Sequence, residues 1–291
     1  MPAVMTTTRR SNLAATLRTT ILLASLTGLL VVIGALIGGA QTALIFLGIA
    51  LVINLGAYWF SDKLALGMSR AQKLERSDAP RLFDIVEELC TRADLPMPRL
   101  YMIPQDQPNA FATGRNPKNA AVAVTRGITR LLSEDELRGV LAHELAHVRN
   151  RDILITSVAA AIGGAITYLG YMLFWIGGDD NDSPLGLVGA LAMVILAPIA
   201  ATIIQLAISR QREYSADATG AEITGNPESL ASALERLEQG AEAIPMQANQ
   251  ATEPLYIVKP FSGGVLAGLF STHPPIPERA RRLRQMRPAL G

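Results

Sequence analysis

The stretch AHELAHVRNRD, residues 142–152, decides how the rest of the chain is read. The chain has only three histidines, and two of them, His143 and His147, stand four apart on either side of Glu144. On a helix, residues four apart share a face. The two imidazoles therefore point the same way and can grip one metal ion. Glu144, one position on, flanks that ion and can take a proton from water held there. Zinc suits the set, because it accepts imidazole and carboxylate and brings its water's pKa to about 7. The predicted helix has a start signal in SEDE, with Ser133 as N-cap and Glu136 as its capping-box partner.

A catalytic zinc takes three protein ligands and keeps one position open. The third ligand is then His273 or a carboxylate. SRQREYSADATGA, residues 209–221, is the best source of the latter. Glu213 and Asp217 lie one helical turn apart there. Glu213 would complete the metal shell, and Asp217 could accept a hydrogen bond from the back nitrogen of a ligand histidine. The plainer alternative is two solvated carboxylates on a helix shared with Arg210 and Arg212. Cys90, the single cysteine, excludes an intramolecular disulfide and any cysteine-rich metal site. Its neighbours Leu82, Ile85, Val86 and Leu89 make it a core residue of a helix.

Working outward, uncharged runs flank this chemistry. No charged side chain occurs from Thr19 to Ser61, room for two spans of about 20 residues, with a break at Gly38-Gly39-Ala40-Gln41. The spans are predicted near residues 20–37 and 42–60, with Tyr58 and Trp59 at the interface. A further run, 153–178, and another, 184–209, are joined by the acidic DDNDS. Composition agrees: 49% of the chain is hydrophobic and 18% charged, too apolar for an ordinary soluble domain. A net charge of +1 leaves no footprint for nucleic acid. Every Lys and Arg lies before Thr19, between Ser61 and Asp152, or after Ser209. The positive-inside rule then puts both termini and both polar blocks in the cytoplasm. The first run reads as a span and not a cleavable leader, since it leads directly into another span.

The expected organisation is a cytoplasmic tail (1–18), a first transmembrane hairpin (19–61), a cytoplasmic block with the motif helix (62–152), a second hairpin (153–209) and a cytoplasmic C-terminal part (210–291). Within the first block, SDAPRLFDIVEELCTRADLP reads as an amphipathic helix starting near Ser77 or Asp78. RLYMI, 99–103, reads as a strand. Residues 110–113 and 120–125 read as a β-hairpin around the turn RNPKN. In the last block, Asn226 and Pro227 start a helix with Leu230, Leu234 and Leu237 on one face, and HPPIPERARRLRQM ends in a short basic helix. The motif helix enters the membrane at about Ile153 and the Glu213 helix leaves it at about Ser209. A tight hairpin makes them antiparallel neighbours, so His143, His147, Glu213 and Asp217 meet at the cytoplasmic surface of the bilayer.

NAFATGRNPKNAAVAVTRGI, LAHELAHVRNRD, SRQREYSADATGA and STHPPIPERARRL stand in one order along the chain. In this the chain resembles the HtpX heat-shock proteases, bacterial membrane zinc endopeptidases related to the CAAX prenyl proteases. The resemblance implies a mainly α membrane protein (α+β): four transmembrane helices in two hairpins and a cytoplasmic zincin-like (gluzincin) domain with a small β-sheet. It implies one zinc held by His143, His147 and Glu213, and Glu144 as general base. It also implies cleavage of misfolded membrane proteins without ATP, at the cytoplasmic side of the bacterial inner membrane, in protein quality control. His273 resembles the family's histidine before Pro-Pro and could stabilise the oxyanion. The hairpin from Asn109, with Ala110, Phe111 and Ala112, resembles the family's substrate edge, where a peptide adds as a strand.

Two rival functions are a prenyl-peptide (CAAX-type) protease, which assay of a farnesylated peptide would reveal, and a membrane scaffold or holdase with a structural metal. Structural zinc usually has four protein ligands, and the sequence offers three good ones and a base.

Overall fold

A computed structural model of the chain describes residues 2–162, 210–244, 255–258 and 274–286. The first helix, α1 (Pro2–Met68), is interrupted at Gly38 and Gly39. Gly39 has φ 69° and ψ −156°, a conformation open essentially to glycine alone, so the expected break falls where the sequence put it. The two arms fold back on each other. The Asn54 amide donates to the Leu23 carbonyl (3.1 Å) and to Thr27 Oγ1 (2.7 Å). The second arm, Gly38–Met68, is the helix among the described residues long and apolar enough to cross a membrane, with a mean hydropathy of 2.1.

A four-stranded sheet follows, in the order β1-β2-β4-β3. Its strands are β1 (Gln72–Lys73), β2 (Arg99–Ile103), β3 (Ala110–Thr113) and β4 (Ala121–Thr125). The expected hairpin is present as an antiparallel pair with Ala110 opposite Val124 and Ala112 opposite Val122. The parallel pairing of β2 with β4 and the two-residue β1 were not anticipated. Neither β3 nor β4 alternates between buried and exposed residues, because the sheet is covered on both sides. Ala110, Ala112, Val122 and Val124 face a core built with helices of the polar blocks. Phe111, Ala121 and Ala123 face Ala65 and Leu66 of α1, together with Ala160 and Tyr256.

Around the sheet lie α2 (Pro80–Ala93), α3 (Arg126–Leu131) and α4 (Glu134–Arg149), then α5 (Ile153–Ile162). The later described helices are α6 (Arg210–Thr224), α7 (Pro227–Ala243) and α8 (Ile276–Arg284). Helix α4 carries the motif. Its capping box is as expected: Glu136 N–H donates to Ser133 Oγ (3.3 Å) and Ser133 N–H to Glu136 Oε2 (2.8 Å). Helix α2 departs slightly from expectation. Ala79 is its N-cap with Pro80 next, and Asp78 instead accepts from Glu75 N–H in the preceding turn. Helix α7 starts at Asn226-Pro227 and buries Leu230, Leu234 and Leu237, but the Asn226 side chain makes no cap bond. Cys90 is buried in the main core, as its neighbours implied.

One expectation needs correcting. The motif helix does not run straight on at Ile153. It ends at Arg149, and Arg151 has a positive φ of 60° before α5 begins. Helix α5 then packs on the first hairpin through Ile155, Val158, Ile162 and Ala57, with Leu23 and Leu30 alongside. The remainder of the expected second hairpin, 163–209, lies outside the described residues, as does His273.

Candidate metal centre

The site is made where α4 meets α6. Gly220 permits the contact: a Cβ there would sit 3.0 Å from the His143 nitrogen and 3.1 Å from its Cα. With these backbones so close, α6 presents Glu213 and Asp217 to the histidines of α4. Nε2 of His143 and Nε2 of His147 are 3.2 Å apart. Glu213 oxygens stand 3.7 Å from the first and 3.5 Å from the second. Each of the three residues offers one ligand atom, all within 4.8 Å of one another. Two ligand nitrogens of one tetrahedral zinc, each 2.0–2.1 Å from it, stand roughly 3.3–3.4 Å apart, so the spacing fits a shared ion.

The back of each ring explains how the cluster can hold a cation. His143 Nδ1 lies 3.0 Å from Asp217 Oδ1, and His147 Nδ1 lies 3.5 Å from Asp152 Oδ2. A carboxylate accepts and cannot donate, so each draws the ring proton to Nδ1. That leaves the two Nε2 atoms and the Glu213 carboxylate facing one point, with Arg279 Nη2 at 3.4 Å from His143 Nε2, an arrangement that can hold a cation. Burial alone would lower the pKa of His147, but the Glu213 and Asp152 carboxylates outweigh it and hold the ring at about 9. His143 goes the other way, to about 4, chiefly through burial and with the Arg279 and His147 charges adding to it.

Glu144 is buried beside the cluster. Burial first, and then the Glu213 charge, push its carboxyl up to about 7. His147, Arg279 and a hydrogen bond from the Ala112 backbone N–H pull against that rise.

Three supporting residues escaped the sequence reading. Asp152 reaches His147 only because the chain turns at Arg151. On an unbroken helix, five residues on, it would face elsewhere. Arg212 of α6 stands 3.7 Å from the far oxygen of Asp152. Arg279 of α8 is fully buried. Its Nε and Nη2 donate to the two Asp217 oxygens at 2.9 and 2.7 Å, and its Nη1 is 3.8 Å from Glu213. Burial would raise the Asp217 carboxyl, but the Arg279 and His143 partners overcome it and hold it at about 2. Arg279 lay unnoticed among the arginines of the basic helix. Its signal was the i,i+4 relation to Leu283, which puts it on the buried face.

Of the candidate substrate edge, β3 is at the sheet margin, and residues 255–258 lie along part of it. Ile257 N–H donates to the Ala110 carbonyl (3.1 Å), the Asn109 amide donates to the Val258 carbonyl (2.8 Å), and Tyr256 packs edge-on against Phe111. Ala112, two residues along the same margin, turns its N–H to Glu144.

Comparison with known proteins agrees with this geometry. The profile of peptidase family M48 matches residues 76–287. A protein described as "Protease HtpX homolog" from Syntrophobacter fumaroxidans is 56% identical over 92% of this chain and 98% of its own length. Another from Persephonella marina is 55% identical, over 95% and 99%. Among solved structures, Ste24p of S. mikatae superposes with a TM-score of 0.49 at 18% identity, covering 94% of this chain. The chain spans 66% of the length of that protein. On the profile and the HtpX relatives, with the His143–His147–Glu213 cluster they meet here, the chain belongs to peptidase family M48, among its membrane-bound HtpX metalloproteases.

Proposed function

We propose that the chain is a zinc endopeptidase that hydrolyses misfolded or damaged membrane proteins at the cytoplasmic face of the bacterial inner membrane. The observation that carries the reading is the convergence of two Nε2 lone pairs and the Glu213 carboxylate on one point, with Glu144 buried alongside. His143, His147 and Glu213 would hold the ion. When bound, it supplies Lewis acidity, polarising a peptide carbonyl and acidifying water. Asp217 and Asp152 fix the two imidazole tautomers. Arg279 neutralises Asp217 and keeps it ionised. Glu144 takes the proton from the attacking water and passes it to the leaving amine. A peptide is expected to add along the β3 margin at Ala112, beside Glu144, where main-chain hydrogen bonding tolerates many sequences. In this reading Asn109, Ala110 and Phe111 anchor the Leu255–Val258 wall of the cleft and help less with substrate. His273 is assigned to the oxyanion.

The four-span layout, with both termini cytoplasmic, is part of the proposal. It is supported by the folded-back α1, by the apolar α5 packed on it and by the absence of Lys and Arg from 153–209. Three ligands and a buried carboxylic base favour catalysis over a structural metal. The test is Glu144→Gln, which keeps the shape and removes the base. The variant is expected to retain one metal ion and lose cleavage of an unfolded membrane substrate by at least about a hundredfold. Cleavage at the wild-type rate would refute the assignment.

A further inference from the structure

A second built site lies away from the metal, where the second arm of α1 meets the sheet. A cavity of about 530 Å³ is lined there by Trp59, Phe60, Asp62 and Lys63 of α1, by Arg99 of β2, and by Arg115 and Lys118 of the β3–β4 turn. Four of these residues are cationic and one is acidic. Arg99 pairs with Asp62 at 2.6 Å, which cancels both. Lys63, Arg115 and Lys118 remain, and among the described residues none of the three has an ion-pair partner. Arg115 stacks over the Trp59 ring at 4.5 Å and Lys63 lies 5.5 Å from the Phe60 ring centre. These contacts orient the cations without neutralising them.

The depth of the cavity selects the ligand. The arm below it turns large apolar side chains outward: Val52 is 72% exposed and Leu55 60%. Trp59 and Phe60 end that lipid-facing surface, and Asp62 is the first charged residue after Arg18. Aromatic rings followed at once by cations mark the headgroup level of a bilayer. We propose that this cavity binds the phosphate headgroup of an anionic lipid. The acyl chains lie along the exposed face of α1, and the headgroup bridges α1 to the turn that carries the edge strand. The volume falls in the range of small-molecule sites. The proposal needs α1 to cross the bilayer but does not depend on the side the domain occupies, the substrate or the metal.

The test uses the full-length protein in lipid nanodiscs. The chain has two tryptophans, so Trp175→Phe leaves Trp59 as the sole emitter. Brominated phosphatidylglycerol and brominated phosphatidylcholine are compared as quenchers in otherwise unbrominated discs. Each cation at an anionic surface contributes roughly a fivefold preference. Half-maximal quenching by the glycerol lipid is therefore expected at a mole fraction at least about tenfold lower. Lys63→Gln/Arg115→Gln/Lys118→Gln should bring that ratio to about one. Lys63→Gln/Lys118→Gln, which alters only exposed side chains, should bring it part of the way if the triple variant does not fold. Equal quenching by the two lipids in the parent, or a preference that survives loss of the cations, would overturn the proposal. So would a response of Trp59 to inorganic phosphate or to an acidic peptide in phosphatidylcholine discs without any lipid preference, which would reassign the cavity to a soluble anion.

Discussion

Arg279 shows how a residue far along the chain supports the His143–His147–Glu213 cluster. It is the neutralising partner of Asp217, and Asp217 holds His143 by its back nitrogen. Arg279→Gln leaves a carboxylate buried with one partner fewer. Such a loss costs about 3–5 kcal/mol, and disturbed support of a metal ligand costs roughly 10- to 100-fold in affinity. Both are expected here, by thermal unfolding and by competitive metal titration. Asp217→Asn/Arg279→Gln should recover part of the stability. Unchanged affinity in the single variant would remove Arg279 from the site. Cys90 makes a contrasting case. Burial first, and the Glu87 charge second, push its thiol up to about 11. At pH 8 the thiolate is then scarce, and it grows tenfold per pH unit until about 11. Native alkylation at pH 8 is expected to be more than about a hundredfold slower than in denaturant, where the pKa returns to about 8.5. Equal rates would show an exposed thiol.

Between elements, the site depends on how closely α4 and α6 approach. Gly220→Val places carbon against the His143 backbone. Overpacking of this kind costs about 1–3 kcal/mol, and the strain is relieved by moving Glu213 away from the imidazoles. Metal affinity should fall by at least about tenfold while the helix content is kept; a variant with wild-type affinity would show that the close approach is not needed. The same scale shows why some elements were legible and others not. The capping box of α4, the Gly38-Gly39 break and the β3–β4 hairpin are local, written in neighbouring residues, and all stand where the sequence placed them. The β2–β4 pairing is a long-range contact with no local signal. The turn at Arg151 was hidden because the polar residues 149–152 read as a helix end running on into an apolar one. Its consequence, Asp152 behind His147, followed it out of sight. The placement of Glu213 and Asp217 beside the histidines could be read because a helical turn separates them. Arg279 could not, because its partner lies on another helix.

At the scale of the whole molecule, the sheet is wedged between the helices that carry the His143–His147–Glu213 cluster and the end of the apolar α1 hairpin, which ties that cluster to the hairpin. Everything rests on two helices delivering three side chains to one divalent ion. The most direct measurement is metal content together with X-ray absorption on purified Glu144→Gln and Glu213→Ala proteins. The expected result is one ion per chain in Glu144→Gln, with two imidazole nitrogens at about 2.0 Å and an oxygen shell, and loss of the ion from Glu213→Ala. Retention of the ion by Glu213→Ala, with an unchanged absorption spectrum, would contradict it.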